Sequence, residues 1–137
     1  MAYDPNNIFA RILRGELPSV KVYEDPKTLA FMDIMPATEG HTLVIPKEQA
    51  ETIFDLSPDG AAELIKATKR IAAAVKKALD CPGVMLAQLN GTAAGQSVPH
   101  IHFHILPRSQ ANFSLHGRSM VDPKVLEPVA AKIRAAL

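Results

Sequence analysis

Residues 99–107 read Pro-His-Ile-His-Phe-His-Ile-Leu-Pro, and they are the most informative part of the chain for both its fold and its chemistry. Strict alternation of histidine with an apolar residue predicts a β-strand, because successive side chains of a strand point to opposite faces of the sheet. His100, His102 and His104 would share one face, and the interleaved apolar residues would face a core. Burying three adjacent imidazoles requires partners for all their ring nitrogens. We therefore expect the histidine face to be a functional site.

A metal site is the main alternative for these histidines, since neutral imidazole is a common ligand of zinc, copper and iron. On a strand that rises about 3.3 Å per residue, the Cα atoms of His100 and His104 would lie roughly 13 Å apart. All three side chains would then converge on one ion only awkwardly, although two of them and His41 could still bind one. Because residues 90–108 contain no carboxylate to act as a further ligand or as a partner of the ligands, we predict no metal and no cofactor.

The segment that leads into the histidine strand, residues 90–98, reads Asn-Gly-Thr-Ala-Ala-Gly-Gln-Ser-Val. Its small residues leave backbone N–H groups accessible, so the loop could hold phosphate oxygens. Alone this would be weak evidence, because most glycine-rich loops are plain turns. Beside three imidazoles it indicates phosphoryl or nucleotidyl transfer, because an imidazole can attack phosphorus while its neighbours orient it and protonate a leaving group.

The rest of the chain predicts short strands and two or three helices. Apolar residues recur at helical spacing over residues 8–13, a capping pattern at residues 57–59 begins a helix that runs to about residue 79, and Asp122-Pro123 begins a last helical stretch. Strands are predicted at residues 20–24, 28–33, 41–45, 84–90 and 100–106. Since these elements mostly do not alternate as βαβ units, they predict an α+β domain built on an antiparallel sheet.

Composition limits the classes of function. The 137 residues are 47% apolar, which fits one compact domain spanning residues 1–137. The formal net charge of +1 gives no reason to expect a nucleic acid or a membrane as partner. A single cysteine excludes an internal disulfide, and we find neither an export signal nor a long apolar run, so the expected location is cytoplasmic.

Residues 100–106 match the pattern His-φ-His-φ-His-φ-φ, where φ is hydrophobic, and so resemble the signature of the histidine triad (HIT) family. The resemblance extends to residues 8–18, 30–34 and 40–47. It covers residues 5–108 and leaves 109–137 as a variable C-terminal segment. It implies a five-stranded antiparallel sheet with two to three helices, and a homodimer in which two sheets join.

The resemblance also implies a hydrolase or nucleotidyl transferase that binds a purine nucleotide such as AMP and forms a nucleotidyl-histidine intermediate. By position, His102 would be the nucleophile and His104 would contact the phosphate and the leaving group, while His100 and His41 would keep the imidazoles in productive tautomers. Asp33 matches the acid that accepts hydrogen bonds from the ribose hydroxyls. The phosphate would contact Asn90, Gln96, Ser97 and the backbone N–H of Val98, and the base would lie against Ile8, Phe9, Ile12, Phe31 and Ile34, each of which alone would be read as ordinary core.

Two features bear on the substrate. Residues 6–10 lack the Cys-x-x-Cys pair by which some family members bind structural zinc, so we expect no such ion. The sequence after Pro107 lacks the tryptophan-bearing ending of Hint proteins and resembles the Fhit branch, which hydrolyses dinucleoside polyphosphates, whereas the N-terminal half is more similar to Hint and its bacterial relatives.

The leaving group is the basis for choosing between these branches. Residues 108–118 offer only two arginines and His116, on a polar stretch that we expect to be too loose to hold a polyphosphate leaving group. We therefore expect a nucleoside phosphoramidase, with dinucleoside polyphosphate hydrolysis as the alternative reaction. A metal-binding domain and a nucleotide-binding regulatory module with incidental turnover remain alternatives of another class.

Overall fold

The computed structural model describes residues 2–137, which form five strands and three α-helices. The elements are α1 (Ile8–Leu13), β1 (Lys21–Glu24), β2 (Thr28–Met32), β3 (Thr42–Pro46), α2 (Pro58–Leu79), β4 (Gly83–Gln88), β5 (Phe103–Arg108) and α3 (Pro123–Ala135). The strands form one antiparallel sheet in the order β1-β2-β3-β5-β4, and a short 3-10 helix, Thr92–Ala94, lies between β4 and β5 in the sequence. This architecture confirms the predicted α+β class and the five-stranded antiparallel sheet.

The long helix α2 begins and ends where local chemistry directs. The Ser57 side chain accepts a hydrogen bond from the backbone N–H of Gly60, and Pro58 occupies the first turn. The helix ends at Asp80, which adopts a left-handed conformation. None of the helices within residues 2–137 is long and apolar enough to cross a membrane.

The sheet has two differently covered faces. On one face, α2 and α3 bury a large apolar core that includes Ile101 and Ile105. On the opposite face, Phe9 of the six-residue α1 packs with a smaller cluster from β2 and β3, namely Leu29, Phe31, Leu43 and Ile45. Because so short a helix covers only part of this face, room remains beside the histidines.

Strand β5 starts three residues later than the predicted strand. The backbone N–H of His100 donates to Val98, and that of Ile101 donates to Ala50, both over 2.9 Å, so these residues bond to loops instead of joining the sheet ladder. The ladder begins at Phe103, and His104 then lies opposite Leu43 on β3. The predicted alternation nevertheless holds, since Ile101 and Ile105 are buried in the larger core and the three histidines are buried apart from it.

The turn before β3 depends on Gly40. Its φ of +88° lies in the region that side chains disfavour, and a β-carbon there would overlap the side chain of Leu79. This close approach of α2 fixes the start of β3, where His41 is fully buried next to the histidine strand.

Candidate functional site

A cavity of about 580 Å³ opens on the face of the sheet that carries the histidines. Apolar side chains from α1 and β2 form much of its wall, and imidazole nitrogens and one carboxylate supply the polar part. Ten of the predicted site residues line it: Ile8, Phe9, Ile12, Phe31, Asp33, Ile34, Ser97, Val98, His102 and His104. The other four predicted site residues, His41, His100, Asn90 and Gln96, are not part of this lining.

The tautomer of His102 follows from its single hydrogen bond. Its Nδ1 lies 2.7 Å from the backbone carbonyl oxygen of His100, and since a carbonyl only accepts, Nδ1 carries the proton and donates. The lone pair of the neutral ring is therefore on Nε2, which forms no hydrogen bond within residues 2–137. Burial lowers the pKa of His102 to about 4, so the ring is neutral at neutral pH. The site thus presents an unprotonated nitrogen.

A second chain of hydrogen bonds fixes His104. The backbone N–H of Ala37 donates to His41 Nδ1 over 3.0 Å, so the proton of neutral His41 is on Nε2, which lies 2.9 Å from His104 Nδ1. His41 therefore donates, and the proton of His104 is on its own Nε2. Burial lowers the pKa of His41 to about 4 and that of His104 to about 3. Among residues 2–137, His104 Nε2 is a buried donor without a hydrogen-bond partner, which is costly unless a ligand supplies an acceptor.

His100 supports the site from behind. Its Nε2 donates to the carbonyl oxygen of Pro46 over 2.8 Å, and its Nδ1 accepts a 2.6 Å hydrogen bond from the hydroxyl of Tyr3. Both ring nitrogens are therefore engaged, and the His100 backbone that orients His102 is held in place. No sequence motif marks Tyr3, which lies 97 positions from His100 along the chain.

In the loop before the histidines, the amide side chains form hydrogen bonds within the protein. Asn90 Oδ1 accepts from the backbone N–H of Ile53 and from the Gln88 side chain, both over 2.8 Å. Gln96 accepts from Gly91 and donates to Glu51 and Val98 through their backbone groups. In the described chain these two amides brace the loop, while the backbone N–H groups of Ser97 and Val98 stay without an intramolecular acceptor.

Asp33 lies beside the histidines, so the site contains a carboxylate although residues 90–108 have none. Its Oδ1 accepts from the backbone N–H of Met35 over 2.8 Å, and its Oδ2 lies 3.5 Å from His41 Nε2. Burial raises the pKa of Asp33. Ligand atoms of Asp33, His41 and His104 all lie within 4.8 Å of one another, a donor set that suits zinc. An ion there would compete with the hydrogen bond between His41 and His104.

The C-terminal segment also lines the cavity, through His116, Gly117, Met120, Val121 and Pro123. It is better anchored than its polar sequence suggested. Gly117 N–H donates to the Met35 carbonyl over 3.1 Å, and Val121 N–H donates to the Ile34 carbonyl over 2.7 Å. The expectation of a loose stretch was therefore wrong, because backbone hydrogen bonds, which composition does not reveal, hold it.

The sequence and the site geometry agree with one protein family. Residues 14–111 match the HIT domain, and this range contains the complete histidine pattern, the loop before it and Asp33. The chain belongs to the HIT domain family. The resemblance inferred from residues 100–106 is thereby confirmed.

Other HIT proteins are similar over most of this chain. An adenosine 5'-monophosphoramidase of Schizosaccharomyces pombe is 40% identical over 108 residues, which are 79% of this chain and 78% of that protein. The structure of a Hit-like protein from Bartonella henselae, described as involved in cell-cycle regulation and holding an unknown ligand, matches with a TM-score of 0.94 and 47% identity over 100% of both chains. A zinc-bound histidine triad family protein from Mycobacterium smegmatis matches with a TM-score of 0.83 and 36% identity, over 96% of this chain and 92% of that one.

Proposed function

We propose that this HIT protein is a nucleotide-binding hydrolase or nucleotidyl transferase that acts on the α-phosphate of purine nucleoside phosphate derivatives. The observation that carries the proposal is the pairing of two unlike nitrogens at the cavity. His102 offers an unprotonated Nε2, and His104, whose ring centroid is 4.9 Å away, offers a protonated Nε2 without a partner. A nucleophile beside a hydrogen-bond donor is the arrangement that phosphoryl substitution requires.

In the proposed reaction, Nε2 of His102 attacks the α-phosphorus and the bond from phosphorus to the leaving group breaks. The positive charge that develops on the ring is stabilised by the hydrogen bond from Nδ1 to the His100 carbonyl. His104 donates to the phosphate and the leaving-group side, and the backbone N–H groups of Ser97 and Val98 stabilise the remaining negative charge. Water then attacks the phosphorus of the nucleotidyl-histidine and the bond to His102 Nε2 breaks, which releases the nucleoside monophosphate and restores neutral His102. The proton that this water loses replaces the one that the leaving amine takes up in the first step, so the cycle balances.

The apolar wall of the cavity suits a nucleobase. Ile8 and Ile34 are 53% and 40% exposed, and both line the cavity beside buried Phe9 and Phe31, so apolar surface there is accessible to a ligand. An apolar slot recognises ring area more than the pattern of polar atoms, so we expect a preference for purines without strict choice of adenine. Asp33 would accept hydrogen bonds from the ribose hydroxyls at the polar end of the slot.

The first prediction concerns the nucleophile. The substitution His102→Asn removes the attacking nitrogen but keeps a polar side chain of similar reach. Turnover of an adenosine phosphoramidate should fall by roughly 1000-fold or more, while the affinity for AMP stays within about tenfold. Single-turnover kinetics and calorimetric titration with AMP measure the two quantities on the same preparation.

The opposite pattern would refute the role of His102: an AMP affinity that falls in step with the rate would make it a binding residue.

A second candidate function, a metal-dependent enzyme or metal-binding domain, is favoured by the cluster of Asp33, His41 and His104. The phosphoramidate turnover of the wild-type protein and of His102→Asn is therefore measured after chelation and again after addition of zinc. Activity that a chelator abolishes and zinc restores would favour the second candidate.

The second prediction concerns the leaving group. Within residues 2–137 the cavity lining contains no lysine or arginine, so a polyphosphate leaving group would find little cationic support, whereas an amine departs as a small neutral group once protonated. The likeness to a named monophosphoramidase supports the same choice. We expect a higher kcat/KM for an adenosine phosphoramidate than for a diadenosine polyphosphate; the reverse order would assign the protein to dinucleoside polyphosphate hydrolysis.

We also propose that the protein forms a homodimer through β4. This strand is an edge of the sheet, and its Leu86 is an apolar side chain that is 45% exposed. Leu86→Glu should halve the mass measured by light scattering, whereas Val125→Glu, a change of a 62% exposed residue on α3, should leave a dimer. A wild-type protein of monomer mass would contradict the proposal.

A further inference from the structure

Of the five histidines, His116 alone belongs neither to the family pattern nor to the chain of hydrogen bonds through His41, yet it lines the same cavity. Its ring meets that of His104 edge-on, with 5.9 Å between centroids and an interplanar angle of 90°. Neither of its ring nitrogens has a hydrogen-bond partner within residues 2–137. Among the described residues, His116 therefore presents two ring nitrogens without a partner beside the ring of His104, whose Nε2 also has none.

The position of His116 is set by backbone contacts on both sides. The Arg108 guanidinium donates to the carbonyl of Ser114, and the N–H of Gly117 donates to the carbonyl of Met35. A β-carbon on Gly117 would overlap the carbonyl oxygens of Met35 and Pro36, so only glycine permits this close approach. The segment is thus docked on the turn that follows Asp33, and its docking holds His116 over the cavity.

The cavity offers few hydrogen-bond donors to a bound phosphate. A bound phosphate group would meet His104 Nε2–H and two backbone N–H groups, but no lysine or arginine among the lining residues of the described chain. Asp33 also lines the cavity, and its carboxylate would repel a bound anion. The imidazole of His116 supplies a further N–H donor to the phosphate.

We propose that His116 contacts the substrate directly, donating a hydrogen bond to a phosphate oxygen of the bound nucleotide next to His104. This inference rests on the proposed nucleotide site and adds to it a ligand from the C-terminal segment. The contact is to the phosphate and not to the nucleoside, so it should distinguish AMP from adenosine.

The test is His116→Phe, which keeps an aromatic ring edge-on to His104 but removes both ring nitrogens. The dissociation constant of AMP, measured by calorimetry, should rise about tenfold, the usual effect of losing one hydrogen bond to a charged group. The dissociation constant of adenosine should change by less than about twofold. Arg118→Gln serves as the matched control, because it removes a full positive charge two residues away on the same segment and does not line the cavity.

Each outcome bears on the proposal. A wild-type affinity for AMP that His116→Phe weakens and Arg118→Gln leaves within about twofold supports it. An unchanged AMP affinity in His116→Phe overturns it while leaving the proposed function intact, and equal losses for AMP and adenosine, or equal losses in both variants, overturn it as well. A wild-type protein that binds no AMP would overturn the proposed function and this inference with it.

Discussion

The hydrogen bond from His102 Nδ1 to the backbone carbonyl of His100 is the contact on which the site depends, because it decides which ring nitrogen is free to react. A neutral imidazole has one proton, and holding it on Nδ1 leaves the Nε2 lone pair at the cavity. Burial reinforces this state by lowering the pKa of His102 to about 4. The same bond stabilises the ring when it becomes positive, so one contact serves both the resting enzyme and the intermediate that we propose.

The fold supports this contact from outside the cavity. His100 bonds to Pro46 and Tyr3, while His41 bonds to Ala37, so elements far apart in the sequence fix both ends of the histidine array. The larger core under α2 and α3 covers the opposite face of the sheet. The small α1 leaves the histidine face partly open, and the C-terminal segment closes one side of it. Stability and access to ligand are therefore provided by different faces of one sheet.

The sequence predicted the features that arise from local pattern. Alternation over residues 100–106 correctly separated Ile101 and Ile105 from the histidines, and capping chemistry at Ser57 located the start of α2. The exact start of β5 was missed because the backbone of His100 and Ile101 bonds to loops, which periodicity does not report.

Contacts between distant segments could not be predicted in the same way. Tyr3 carries no motif, and the meeting of Asp33 with His41 and His104 depends on strand register and on the turn at Gly40. The side chains of Asn90 and Gln96 lie in the predicted loop but bond within the protein, because their amides satisfy backbone groups of neighbouring turns.

The most direct test is nitrogen NMR of the histidine rings, with the His102 signals assigned by comparison with His102→Asn. The spectra report which ring nitrogen carries the proton of the neutral ring. They also report the pH at which the ring binds a second proton. Since burial lowers the pKa to about 4, the account predicts neutral His102, protonated on Nδ1 alone, from pH 7 down to about 5. A proton on Nε2, or a charged ring at pH 6, would contradict it.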